Sequence, residues 1–171
     1  FRGIAYFGED VMQHAILLLP ASAAAPGPAM LPAEETDADG RIAAPVRVLL
    51  VEDEILTALD IEYLVQQLGY EVCGIAASAP EAVQAADELR PDLVLMDIRL
   101  ARGTDGIQAA GEIRTRFDIA SLYLSAHTDA ATLNRAQATQ PLGFIAKPYT
   151  HAQLEAALRA AVTVLQGGPV Q

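Results

Sequence analysis

From Val46 onward, hydrophobic and polar positions alternate in a regular way, with strand-length apolar runs taking turns with longer amphipathic ones. VRVLLV, Val46 to Val51, predicts the first strand. Glu54 to Leu68 predicts a helix, with Ile55, Leu59, Leu64 and Leu68 at roughly helical spacing and Gly69 as its C-terminal cap. Tyr70 to Ala76 predicts a second strand. Ser78 is placed to cap a second helix running to about Leu89, with Pro80 in its tolerated first turn. Next comes DLVLMDIRL, Asp92 to Leu100, in which Leu93 to Met96 is a continuous apolar run that suits a parallel strand covered on both faces. It ends on a carboxylate, Asp97. After a loop holding Gly103 and Asp105-Gly106, a third helix is expected over about Ile107 to Arg116. Ser121 to Ser125 and Gly143 to Ala146 predict two more strands, each followed by a helix, over Asp129 to about Ala138 and His151 to Leu165. The last helix carries Leu154, Leu158, Val162 and Leu165 on one stripe, and five βα units make an α/β doubly wound parallel sheet with helices on both faces.

Residues 1–45 break this pattern. Ala15 to Leu19 is an apolar stretch of strand length, read as an interaction strand or the tail of a preceding domain or, alternatively, as part of an amphipathic helix over about Glu9 to Leu19. The tract PASAAAPGPAMLPAEETDADGRIAAP that follows is too rich in Pro, Ala, Gly and acid to bury surface that would offset its ordering entropy, and it reads as a linker. The expected division is therefore an extension and linker over 1–45, a folded domain over 46–165 and a short tail over 166–171. The first residue, Phe rather than Met, hints that the chain starts inside something longer. The apolar stretch is far shorter than the roughly 20 residues of a membrane span and has no basic leader, so no membrane insertion and a cytoplasmic location are expected.

Composition narrows the partners. With 171 residues and 52% of them hydrophobic, the chain can bury one core of ordinary domain size. Its net charge is -11, and no lysine or arginine run could neutralise a phosphate backbone, so nucleic acid is excluded as an expected partner. Cys73 is the single cysteine, which leaves no internal disulfide and fits a reducing compartment.

The chemistry gathers at the strand ends. In open parallel α/β sheets the ligand site lies outside the carboxyl ends of the strands. The first strand ends in Glu52 and Asp53, the third in Asp97, the fourth in Ser125 and the fifth in Lys147-Pro148. Three carboxylates at short range repel one another, and a hard divalent cation among them relieves that repulsion; Mg2+ is the expected ion. A hydroxyl and an ammonium nearby supply a donor and a fixed positive charge for a phosphoryl group, with a carboxylate as the nucleophile that forms an acyl phosphate.

VRVLLVEDE, DLVLMDIRL, LYLSAHTD and GFIAKPY, in that order and spacing, resemble the receiver domain of two-component response regulators over about Val46 to Leu165. The resemblance implies a flavodoxin-like sheet of order 2-1-3-4-5. It implies that Asp97 accepts phosphate from a histidine kinase or a histidine phosphotransfer protein. Asp53 and Asp97 would bind Mg2+ with the backbone carbonyl of Arg99, Glu52 assisting mostly through water. Ser125 would donate to the phosphoryl group and Lys147 would pair with it, beside a cis peptide at Lys147-Pro148. Phe144 matches the aromatic switch position; lacking a phenol hydroxyl, its inward rotation would be driven by packing and by Ser125. Phosphorylation would switch the face made by the fourth helix, fifth strand and fifth helix. A homodimer could form through that face, or through an N-terminal strand exchanged onto a sheet edge.

Variable positions refine these expectations. Arg99 and His127, two residues after Asp97 and Ser125, stand where the family tunes access of water to the acyl phosphate, and a bulky cation at each predicts slow self-dephosphorylation. His14 and His151 lack any motif and are assigned no role. With no output domain expected after Leu165, output would be by docking, phosphate relay or competition for a kinase. The chain would be the C-terminal receiver of a hybrid histidine kinase or a free-standing regulator, and GTDGIQAA also resembles receivers partnered with PAS-type sensor kinases. The competing readings are a phosphorylation-independent interaction scaffold and a hydrolase of the haloacid dehalogenase type; the latter needs a second acid where Arg99 stands.

Overall fold

In a computed structural model that describes residues 5–7, 44–100, 103–126 and 129–167, the alternating pattern becomes a sheet wrapped by helices. The elements in chain order are β1 (Ala5–Phe7), β2 (Arg47–Val51), α1 (Ile55–Gln67), β3 (Glu71–Ala76), α2 (Ala79–Leu89), β4 (Leu93–Asp97), α3 (Gly106–Phe117), β5 (Ala120–Ser125), α4 (Ala130–Gln137), β6 (Gly143–Ala146) and α5 (His151–Leu165). All strands are parallel, in the order β1-β6-β5-β4-β2-β3. Counting β2 to β6 as first to fifth, the order is 2-1-3-4-5, the flavodoxin-like arrangement expected from the sequence. β1 is an addition. It pairs with β6 of its own chain, Tyr6 in register with Phe144. The strand expected at Ala15–Leu19, the alternative helix and the linker lie outside the described residues.

Strand periodicity of two divides the core into two halves. Val48, Leu50, Leu93, Leu95, Leu122, Leu124 and Ile145 face α1 and α5. Leu49, Val51, Val94, Met96, Tyr123 and Phe144 point the other way, against Ala82 and Ala86 of α2 and Ala109, Ala110 and Ile113 of α3. β4 is buried along its whole length, which is why its sequence is apolar without alternation.

Helix ends follow local chemistry. Gly69 has φ +84 just past the C-cap of α1, a backbone conformation suited to glycine. Asp105 caps α3 by accepting from the Ile107 amide at 2.8 Å, and Thr150 and Gln153 form a capping box at α5. Ser78 holds the N-cap position of α2, but its side chain makes no capping bond. Thr104, from the loop after β4, accepts from the Ala79 amide instead, at 3.3 Å.

The α1 stripe differs from the expected one. Its fully buried residues are Ala58, Ile61 and Val65, with Leu64 and Leu68 half-buried beside them. Ile55 and Leu59 are exposed, together with Leu56 and Tyr63. Ala58, Ile61 and Val65 thus form the face laid against the sheet, and the larger apolar side chains of the opposite face are left exposed. On α5, Leu154, Leu158 and Val162 are buried as expected, while Leu165 is 38% exposed.

One close approach fixes the geometry behind Asp97. The Gly106 amide donates to the Ile98 carbonyl at 3.0 Å, and a Cβ at Gly106 would overlap the main-chain carbonyl of Asp97. The start of α3 thus rests against the end of β4. Gly106→Ala is expected to destabilise the fold by about 1–3 kcal/mol through overpacking, measured by urea unfolding; wild-type stability would show that the contact is not tight.

Candidate functional site

β2 and β4 are neighbours in register, Val51 opposite Met96, so the residues that follow, Glu52 and Asp97, leave the sheet side by side. Glu52 is held by its backbone, its amide donating to the Ala76 carbonyl at 3.0 Å, and its Oε1 accepts from the Glu54 amide at 3.3 Å. Asp53 is exposed, whereas Glu52 and Asp97 are buried. Among the described residues, Glu52, Asp53 and Asp97 form a group whose carboxylate oxygens lie within 4.8 Å of one another. These are hard oxygen donors in the number a small divalent cation uses, so the set fits a metal ion.

Lys147 enters from the far side of β5. Its amide donates to the Ser125 carbonyl at 2.7 Å and its peptide bond to Pro148 is cis. Its ammonium donates to Glu52 Oε2 and Asp97 Oδ2, both at 2.6 Å. The second oxygen of Asp97, Oδ1, accepts from the Arg99 amide at 3.0 Å. Ser125 ends β5, two strands from Glu52, and is buried. Phe144 is buried on β6, with its ring stacked on Tyr123 at 5.3 Å between centroids.

Glu52, Asp53, Asp97 and Lys147 are thus brought into contact or near contact, with Ser125 tied to the lysine's backbone. Arg99 is exposed and bridges to Asp105 in the β4–α3 loop. His151 faces Asp60 of α1 at 3.2 Å on the surface. His14 and His127 lie outside the described residues. Cys73 is half-buried, its thiol pushed up by burial and directed at the Val48 carbonyl. Two neighbours of the site escaped the sequence reading: Gly106, whose only signal was an Asp-Gly pair after the acid, and Tyr123, whose strand position looked like ordinary core.

Charge balance at the site is unequal. Burial raises the Glu52 carboxyl above its ordinary value, and the Lys147 ammonium reverses only part of that. Burial pulls Lys147 down, but its contacts with Asp97 and Glu52 more than compensate, and its pKa is raised. Both shifts have the same sign for linkage. Each group's contribution to stability is complete below its ordinary pKa and is lost as pH rises through the raised one. For Glu52 that loss falls in the acid range; for Lys147 it falls above the ordinary lysine range.

An uncharged isostere at Glu52 removes the cost of burying its charge. Glu52→Gln is therefore expected to raise urea stability at pH 7 in chelator-treated protein, and to flatten the dependence of stability on pH just above the ordinary glutamate range. A less stable variant would mean that the Lys147 contact outweighs the burial cost.

Comparison with known proteins gives the arrangement a family. The family model for the response regulator receiver domain matches residues 48–159. The chain is 37% identical over 128 residues to the transcriptional regulatory protein PdtaR of Mycobacterium tuberculosis, covering 75% of this chain and 61% of PdtaR. It is 35% identical over 116 residues to the phyllosphere-induced regulator PhyR of Methylorubrum extorquens, covering 67% of this chain and 43% of PhyR. The chain thus spans less than two thirds of either regulator's length. The solution structure of the PhyR receiver domain of Erythrobacter litoralis superposes with a TM-score of 0.64 at 31% identity, over 74% of this chain and 96% of that one. Family match, sheet order and the acids at the strand ends agree, and the chain belongs to the response regulator receiver domain family.

Proposed function

We propose that the chain is the phosphoacceptor of a two-component relay and that Asp97 takes the phosphoryl group. The observation that carries this reading is the Lys147 ammonium, held at 2.6 Å from Asp97 at a sheet edge that also carries Glu52 and Asp53. A carboxylate oxygen of Asp97 attacks the phosphorus of a phosphohistidine. The P–N bond breaks, the leaving imidazole takes a proton, and a P–O bond to Asp97 completes the acyl phosphate. Lys147 is placed to stay with the new oxygens, since its positive charge is already fixed there. Ser125 supplies a hydroxyl at the end of the neighbouring strand. Mg2+ held by Asp53, Asp97 and the Arg99 carbonyl, with Glu52 beyond them, would offset the charge that develops on the phosphoryl oxygens. The chain's catalysis is confined to its own phosphoryl transfer and dephosphorylation.

The donor is a histidine kinase or a histidine phosphotransfer protein. α1 begins two residues after Asp53, and its exposed Ile55, Leu56, Leu59 and Tyr63 form an apolar face beside the acids. Such a face has no partner within the described domain and suits a helical donor carrying its histidine towards Asp97. Among the described residues no helix is long and apolar enough to cross a membrane.

Incubation with acetyl phosphate and Mg2+ is expected to add a single phosphoryl group by intact mass, lost in Asp97→Asn; an equal adduct on that variant would move the acceptor elsewhere. Leu56→Glu with Leu59→Glu is expected to slow transfer from a phosphorylated histidine donor by about tenfold or more, as hot-spot losses do, while leaving acetyl phosphate labelling unchanged. Equal slowing with both donors would place the defect in the site, not in docking.

A further inference from the structure

α4 is lightly held. Of its eight residues only Ala136 is buried, and Leu133 is half-buried against the core. Polar contacts supplement this packing, among them one at Arg135 and one at Thr139. Arg135 pairs with Asp105 at the start of α3, an exposed contact that salt weakens. The second contact is part-buried. Tyr123 is wholly buried on β5, and its phenol oxygen lies 2.8 Å from Thr139 Oγ1, just past the end of α4. Thr139 Oγ1 is also 2.7 Å from the Ala136 carbonyl. A carbonyl can only accept, so the threonine proton goes to Ala136 and the phenol donates to Thr139. The last turn of α4 is therefore tied to β5 through a relay of two hydroxyls.

The same ring touches the switch position. Tyr123 and Phe144 are register partners on β5 and β6, with rings stacked at 5.3 Å and 22°. Phe144 is already packed inward at 3% exposure and has no polar atom, so burying its ring is not a change left for phosphorylation to drive. Tyr123 is two residues before Ser125, hence on the same side of β5. Of the two stacked rings, that of Tyr123 carries a hydroxyl, and it is this hydroxyl that reaches Thr139.

We propose that Tyr123 is a positioning residue that couples α4 to Asp97, its phenol bond to Thr139 holding α4 in the resting arrangement and yielding when the site is phosphorylated. The proposal rests on the acceptor reading above. Coupling is reciprocal: a bond that favours the resting arrangement must weaken binding of a phosphoryl analogue at Asp97 by the factor through which the analogue weakens the bond. Burial lifts the phenol to about 12, so it remains a donor at any working pH.

The test uses the full chain, Tyr123→Phe, which keeps the ring, and Thr139→Ser, which keeps the relay hydroxyl. Two quantities are read: amide exchange over Leu133–Gln137 without Mg2+ or phosphoryl analogue, and the affinity for beryllium trifluoride with Mg2+. Loss of one neutral hydrogen bond corresponds to about a fivefold effect. Tyr123→Phe is expected to speed α4 exchange by about that factor and to tighten beryllium trifluoride binding by up to the same factor, with Thr139→Ser like wild type in both. Unchanged exchange would overturn the anchoring. Faster exchange with unchanged or weaker binding would overturn the coupling. If wild type fails to bind beryllium trifluoride, the acceptor reading falls and the coupling with it, while the exchange result still decides the anchoring.

Discussion

The ammonium of Lys147, 2.6 Å from both Glu52 and Asp97, is the contact on which the rest of the site depends. Two buried carboxylates and a third beside them would otherwise repel at close range, in surroundings where charge is poorly screened. One lysine cannot neutralise three acids. The residual negative charge is what makes the cluster receptive to a cation, and Glu52, whose carboxyl is pushed up chiefly by burial and to a lesser degree by Asp97, adds to the cost of keeping the acids ionised together. The site is thus kept slightly unstable, and that instability is available to be relieved by binding.

The fold holds this arrangement through backbone register. Parallel pairing of β2 with β4 sets two acids next to each other, and β5 intervenes so that Lys147 must reach across from β6. Gly106 brings α3 hard against the carbonyl of Asp97, and Asp105 one residue earlier caps that helix and pairs with Arg135 of α4. The loop behind the acceptor is therefore mechanically continuous with α4. α4 itself contributes little to the core, which suits an element whose position is to change.

Strand-length apolar runs ending in polar residues made the parallel sheet and the acid cluster legible in the sequence, because in a parallel sheet all strand ends share one edge; the strand order came only through the resemblance to receiver domains. Other features depended on contacts that spacing does not encode. Ile55 and Leu59 occupy helical positions as good as those of Ile61 and Val65, and only packing of Ala58 on the sheet decides which face is buried. Tyr123 reads as a core aromatic until Thr139 is seen to receive its hydroxyl. β1 is only three residues long, too short for an alternating pattern to mark it, so its pairing with β6 carries no periodic signal. Ser78 has the residue type of a cap, yet Thr104 takes the role because the β4–α3 loop passes over the start of α2.

The central claim is that Asp97, among three neighbouring acids, is the one that carries the phosphoryl group. Borohydride reduction of phosphorylated protein converts an aspartyl phosphate to homoserine, and tandem mass spectrometry of the resulting peptides locates it. The account predicts homoserine at position 97, dependent on Mg2+ and on the phosphodonor. Homoserine at position 53, or label confined to a histidine, would contradict it.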